Sequence, residues 1–257
     1  MKTRTVLGAL ACTALLASVG LAQNTPAPAF TMTTLEHTPS TMGAWRNAEA
    51  QVVEALKAAN IPAAEVGWWA YVKDNKTMIV RPRSRDALFG GGGQGSMARL
   101  RAAAPEKAAE IQKAFEGTQL RVVSSEVFVQ SADLSYASGV DVGTQGGAQV
   151  VDVVVAPGQG AAFNEAVQAV NKVRADLKYP YNVQVYRVRI GEPRTMVVTF
   201  FDSAENFFGK NSLDRLAAGN SAAQAALGAA FGALINTVSS WDSKLTNYAA
   251  AMSYPPM

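Results

Sequence analysis

A displacement of 118 positions brings the second half of this chain into register with the first, and this internal repeat constrains the fold more than any other feature. Thr77-Met78 falls on Thr195-Met196, Phe89 on Phe207, and Ser135-Tyr136 on Ser253-Tyr254. Similar types coincide at Trp45 and Phe163, Val52 and Val170, Trp68 and Tyr186, and Val72 and Ile190. Each match alone is trivial. A gap-free spacing that aligns the whole succession of elements points to duplication.

The elements read alike in the two halves. In the first, residues 30–36 are strand-like, and Trp45, Ala48, Val52, Leu56 and Ala59 recur along one helical face that Pro62 closes. Residues 66–72 and 77–83 make a hairpin around Asp74-Asn75. After a glycine-rich loop at 90–95, Pro105 opens a helix with the apolar face Ala108, Ile111 and Phe115, Gly117 ends it, and a strand covers 120–130. The second half follows with a strand at 150–155 and a helix faced by Phe163, Val167, Val170 and Leu177. A hairpin of 183–190 and 195–201 turns at Gly191-Glu192-Pro193-Arg194, and an alanine-rich helix runs over 221–238. Trp241, Leu245 and Tyr248 either continue that helix or begin the last strand.

This order, β-α-β-β-α-β twice, is that of the ferredoxin-like split motif, an α+β arrangement. One face of each four-stranded sheet carries helices and the other needs cover, so two units in one chain meet that need by packing sheet to sheet as a pseudo-symmetric α/β barrel. The expected division is a signal segment at 1–22, a short linker at 23–28, unit 1 at 29–137, a glycine-rich linker at 138–147 and unit 2 at 148–255. By this element order and the Thr-Met and Ser-Tyr echoes, the chain resembles the dimeric α/β-barrel superfamily, with its antibiotic-biosynthesis monooxygenase-like and NIPSNAP-like domains. The competing arrangement is two ferredoxin-like domains that do not close over each other.

Residues 1–22 have the three parts of an export signal: Lys2 and Arg4, an apolar run over 6–21, and small residues at Gly20-Leu21-Ala22. Cleavage there is favoured over a membrane anchor because no cationic stop-transfer flank follows. Loss of the segment lowers the formal charge from +3 to about +1 and removes Cys12, the one cysteine. Nucleic acid is therefore not implied as a partner, and the secreted or periplasmic product is held by its core rather than by disulfides.

Chemistry-bearing residues are few. His37, the one histidine, suits a general base at a sheet edge or cavity mouth, although its place before Thr38-Pro39 favours a solvent-exposed turn residue. A single histidine cannot build a multi-histidine metal site. Haem enzymes that resemble this fold use a proximal histidine in their second unit, where this chain has none, so no haem, metal or other cofactor is expected. Arg81, Arg83 and Arg85 alternate on one strand face and form either an anion site or a solvated sheet edge. Trp68 and Trp69 point to opposite faces, one under the helices and the other toward the inter-sheet space, and Trp68 aligns with Tyr186. The glycine-rich loop lacks the Gly-Lys-Ser/Thr ending of a phosphate-binding loop and reads as a connector.

The resulting expectation is an exported protein that binds a small apolar or anionic ligand, or an envelope partner, near His37, Trp68, Trp69, Arg81, Arg83, Arg85 or Tyr186. The alternatives are a cofactor-independent monooxygenase-like enzyme and a structural envelope protein. Sequence sets no oligomeric state.

Overall fold

Strands form where β-branched and aromatic residues alternate between two burial environments, and here both faces are covered. In β3 (Lys76–Arg83), Thr77 and Ile79 turn toward the helices while Met78 and Val80 turn the other way. The structure, a computed structural model, describes residues 28–83, 95–118, 120–139 and 146–256. The export segment, Arg85, Phe89 and glycines 90–93 lie outside the described residues.

The remaining strands are β1 (Ala29–His37), β2 (Trp69–Lys73), β4 (Leu120–Gln130), β5 (Gly147–Val155), β6 (Val183–Ile190), β7 (Thr195–Phe201) and β8 (Val238–Tyr248). They close into one antiparallel barrel in the order β1-β3-β2-β8-β5-β7-β6-β4. Each half supplies a four-stranded sheet in the ferredoxin-like order, and the sheets join at two seams, β2 with β8 and β4 with β6. All neighbours are antiparallel, so β1 and β5 run the same way and the pseudo-two-fold axis lies along the barrel. We call the end where β1 and β5 finish the upper end.

Helices pack outside. Met42–Ala58 and Pro105–Phe115 cover the first sheet, burying Trp45, Val52, Leu56 and Ile111 in one core cluster. Gly160–Asp176 and Ser221–Ile235 cover the second, with Phe163, Val167 and Val173 beneath them. The last of these stops at Ile235 rather than 238, and Trp241, Leu245 and Tyr248 belong to a strand that pairs with β5 along its length. The strand expected at 66–72 starts later, because Pro62 seeds a short helix, Ala63–Val66. Further helices at Ser96–Ala103, Ala204–Phe208 and Leu213–Ala217 were not evident in the sequence.

The Ser-Tyr echo has a structural cause. Each pair straps its own half to the other. Ser135 Oγ accepts from the Val185 amide (3.0 Å) and the Tyr136 hydroxyl donates to the Tyr179 carbonyl (3.0 Å). In the mirror arrangement, Ser253 Oγ accepts from the Ala70 amide (2.9 Å) and the Tyr254 hydroxyl donates to the Ile61 carbonyl (2.6 Å).

Candidate functional site

The inward side chains of the barrel do not fill it. They leave a cavity of about 170 Å³ whose wall is assembled from equivalent positions of the two halves. Met78 and Met196, and Val80 and Val198, are matched pairs at the repeat spacing. Tyr71 faces Met78 across one hairpin as Tyr186 faces Met196 across the other, so the two tyrosines also correspond. The other pairs are unequal. Phe30 corresponds to Ala148, Met32 to Val150, Trp69 to Gln184 and Phe128 to Thr246. In each, the first half provides the larger apolar side chain, and the small residues of the second half make the hollow.

Among the described residues, no lining residue is Asp, Glu, His, Lys or Arg. Polarity is confined to two tyrosine hydroxyls, the Gln184 amide and Thr246, whose hydroxyl already donates to the Ala148 carbonyl (3.1 Å). The Tyr186 hydroxyl donates to Gln184 Oε1. Burial pushes the hydroxyls of Tyr71 and Tyr186 well above the ordinary tyrosine range, and for Tyr71 the neighbouring Tyr186 and Tyr248 add to the effect. Both are neutral donors at any physiological pH.

Above this apolar wall, an ion cluster occupies the upper part of the barrel. Arg194 Nε donates to Asp152 Oδ1 (2.8 Å), and its terminal nitrogens bind both oxygens of Glu126 (2.5 and 2.8 Å). Lys244 Nζ donates to Asp152 Oδ2 (2.6 Å). The Arg194 guanidinium lies over the ring of Phe128, 5.6 Å from its centroid, so the cluster stands on the cavity wall itself. The hydrogen bonds it donates to Glu126 raise the Arg194 pKa further. Burial opposes ionisation of Asp152, yet Lys244 and Arg194 together hold its carboxyl below the usual range. Gly191 passes beside the cluster with φ +130, and a Cβ there would come within 2.8 Å of the Glu126 carboxylate, so both conformation and space require glycine. Two cations and two anions, each mostly buried, compensate one another here.

Of the residues singled out from sequence, Trp69 and Tyr186 line the cavity. Trp68 lies on the opposite face, fully buried beneath the helices, with its indole donating to the Met252 carbonyl (2.6 Å). Its alignment with Tyr186 does not hold structurally. The first hairpin turns through Asp74-Asn75 and the second through a longer turn, so β2 and β6 correspond at a spacing of 115 rather than 118. His37 is buried, not a solvent-exposed turn residue. Its Nε2 lies 3.0 Å from Thr77 Oγ1, and its ring lies 4.5 Å from that of Trp45. Burial first, and Arg46 second, lower its pKa, so it is neutral.

Arg81 and Arg83 also lie on the helix-covered face, and since β3 is flanked by β1 and β2 they do not mark a solvated sheet edge. Arg81 stacks over Trp68 at 5.5 Å, and Arg83 Nε donates to Thr31 Oγ1 (3.1 Å). His37, Arg81 and Arg83 therefore share no site with Trp69 and Tyr186. Arg85 lies outside the described residues. Sequence reasoning missed Glu126, Asp152, Arg194 and Lys244. The available signal was parity, since Asp152 interrupts an otherwise apolar strand on the face of Ala148 and Val150. Among the described residues, no group of three or more His, Asp or Glu is placed to hold a metal ion.

Solved structures share this architecture, two bacterial barrels among them. A proposed monooxygenase of Fusobacterium nucleatum subsp. nucleatum aligns over 87% of this chain and 92% of its own, with a TM-score of 0.56 and 9% identity. The chain has the dimeric α/β-barrel fold. A second such barrel, a proposed monooxygenase of Lactobacillus acidophilus, aligns over 87% of this chain and 94% of its own, with a TM-score of 0.50 and 11% identity. At these identities the α/β barrel itself is what is shared. No protein-family model matches the sequence, and no curated protein matches it.

Proposed function

We propose that the barrel binds a small, neutral, largely apolar molecule of about one ring in size. The cavity carries this reading: apart from Gln184 and Thr246 its wall is aromatic, aliphatic and thioether, with no charged side chain among the described residues, and its volume is about 170 Å³. An apolar cavity of about 150 Å³ suffices for benzene. A charged ligand would lose its hydration there without a counter-ion, which favours an apolar ligand over an anionic one. Toluene, indole and p-cresol serve as probes in thermal denaturation. A ligand at about one hundred times its Kd adds about 2.7 kcal/mol. Wild-type protein is expected to gain stability from at least one probe, and Ala148→Phe, which copies Phe30 into the second half, to lose that gain. Equal responses, or none, would reject the reading.

A second reading, oxidation of the ligand in the same cavity, draws support from the monooxygenase descriptions of the two structural neighbours. The wall offers hydroxyl donors but no side-chain base, and His37 lies on the other face of the sheet. Binding without chemistry is thus the simpler use. Dioxygen uptake with the bound probe, lost in Tyr71→Phe, would favour oxidation. We also propose export by cleavage of 1–22, checked by N-terminal sequencing that starts near Gln23. Among the described residues, no helix is long and apolar enough to cross a membrane.

A further inference from the structure

The upper end of the barrel leaves two strand segments half-paired. β2 reaches β8 at Tyr71 and Val72, opposite Tyr248 and Asn247, so residues 238–246 of β8 pair with β5 alone among the described residues. β4 likewise pairs with β1 alone above Val127, where β6 ends at Ile190. Large exposed apolar side chains stand at this end, Val122 and Ile190 beside one segment and Trp241, 59% exposed, on the other, with Leu245 further down β8. A bare strand edge carrying apolar side chains is a template for another strand.

We infer that β8 pairs antiparallel with β8 of a second copy of this chain, about a two-fold axis through Ser243. The sequence Trp241-Asp242-Ser243-Lys244-Leu245 is self-complementary in that register. Trp241 faces Leu245 of the partner subunit, Asp242 faces the partner subunit's Lys244, and Ser243 faces its own copy. Both contacts occur twice, as an isologous interface requires. A shift that centres the pair on Asp242 sets carboxylate against carboxylate, and one centred on Lys244 sets ammonium against ammonium, so charge fixes the register. Within the chain, Asp242 stands opposite Asp152 in the β5 ladder. Asp152 is held by Arg194 and Lys244, but Asp242 makes no ion pair among the described residues. In the paired dimer Asp242 gains the partner's Lys244 as a neighbouring cation, shared with the Asp152 carboxylate that Lys244 binds within its own chain. The equivalent β4 segment, Val123 to Val127, would set Ser124 against Glu126 about its centre and offers no pair of opposite charges.

The chain has one cysteine, Cys12, so Ser243→Cys combined with Cys12→Ala carries a single thiol. Directly opposed residues in an antiparallel pair have Cα atoms about 4.5–5.5 Å apart, within disulfide reach. Size-exclusion chromatography with light scattering is expected to give twice the chain mass, and mild oxidation to link Ser243→Cys but not Ser239→Cys. Asp242→Lys, which sets lysine against lysine, is expected to weaken dimerisation about tenfold or more while circular dichroism shows unchanged folding. A monomer at all concentrations overturns the proposal. So does a dimer that fails to cross-link at 243 or that tolerates Asp242→Lys.

Discussion

Facing the barrel axis, the first half carries Phe30, Met32, Trp69 and Phe128, and the second half carries Ala148, Val150, Gln184 and Thr246 at the same places. The second half also provides three members of the ion cluster, Asp152, Arg194 and Lys244, against Glu126 from the first. Beneath the helices the asymmetry reverses. Glu49 is buried in the first half at the position equivalent to Val167, a plain core valine. At these four positions one half supplies the bulk and the other the space, while Phe200, in the place of Pro82, is a bulky wall residue of the second half, which also carries most of the buried charges. The chain path is common because the strand pairing is common, whereas the contents of the barrel are set residue by residue.

That division is open to direct attack. Arg194→Ala removes the shared cation from Glu126 and Asp152, leaving two buried carboxylates against one lysine, and is expected to cost toward 5 kcal/mol. Lys76→Ala, at the equivalent but exposed position, is expected to stay within about 0.5 kcal/mol. Urea denaturation of both variants makes the comparison. Next comes the wall: Phe128→Ala is expected to cost about 4 kcal/mol, but Thr246→Ala, its equivalent, about 1 kcal/mol for one hydrogen bond. Similar losses from both would mean that the halves share the filling equally.

Glu49 makes the stability of the first half depend on pH. Burial pushes its carboxyl up to about 7, against an opposing effect of Arg81. A carboxyl raised on folding favours the folded state while protonated, so its contribution is fully present below the unfolded value near 4.5 and is lost as pH rises toward 7. At about 1.4 kcal/mol per unit, Glu49→Gln is expected to gain on the order of 3 kcal/mol at alkaline pH relative to its effect in acid. A thermal melt series across that range checks it, and a pH-independent difference between variant and wild type would remove Glu49 as the titrating group.

Much of this architecture can be read from the chain. Val183–Ile190, Thr195–Phe201 and Leu120–Gln130 announce themselves by β-branched composition between turn residues, and the repeat gives their order twice. The cavity was half legible: the opposed directions of Trp68 and Trp69 follow from strand parity, but the partner of Tyr186 is Tyr71, hidden by unequal hairpin turns. His37 looked exposed because the side chain that covers it, Trp45, arrives from the following helix. The ion cluster was illegible for a related reason. Its members come from three strands and the β6–β7 turn across more than a hundred residues, and only barrel closure brings Glu126 to Arg194.

The two seams differ in length, and this bears on how a ligand reaches the interior. β4 meets β6 through four residue pairs, but β2 meets β8 through two, Tyr71 with Tyr248 and Val72 with Asn247. The shorter seam has less to break and should open first in native-state fluctuations. Amides at 72 and 247 are therefore expected to exchange with deuterium faster than those at 128 and 129. Tyr71 sits in both this seam and the cavity wall, so each such opening swings a wall panel outward. The cavity wall is thus tied to the part of the barrel held by the fewest ladder bonds, next to the strap at Ser253-Tyr254.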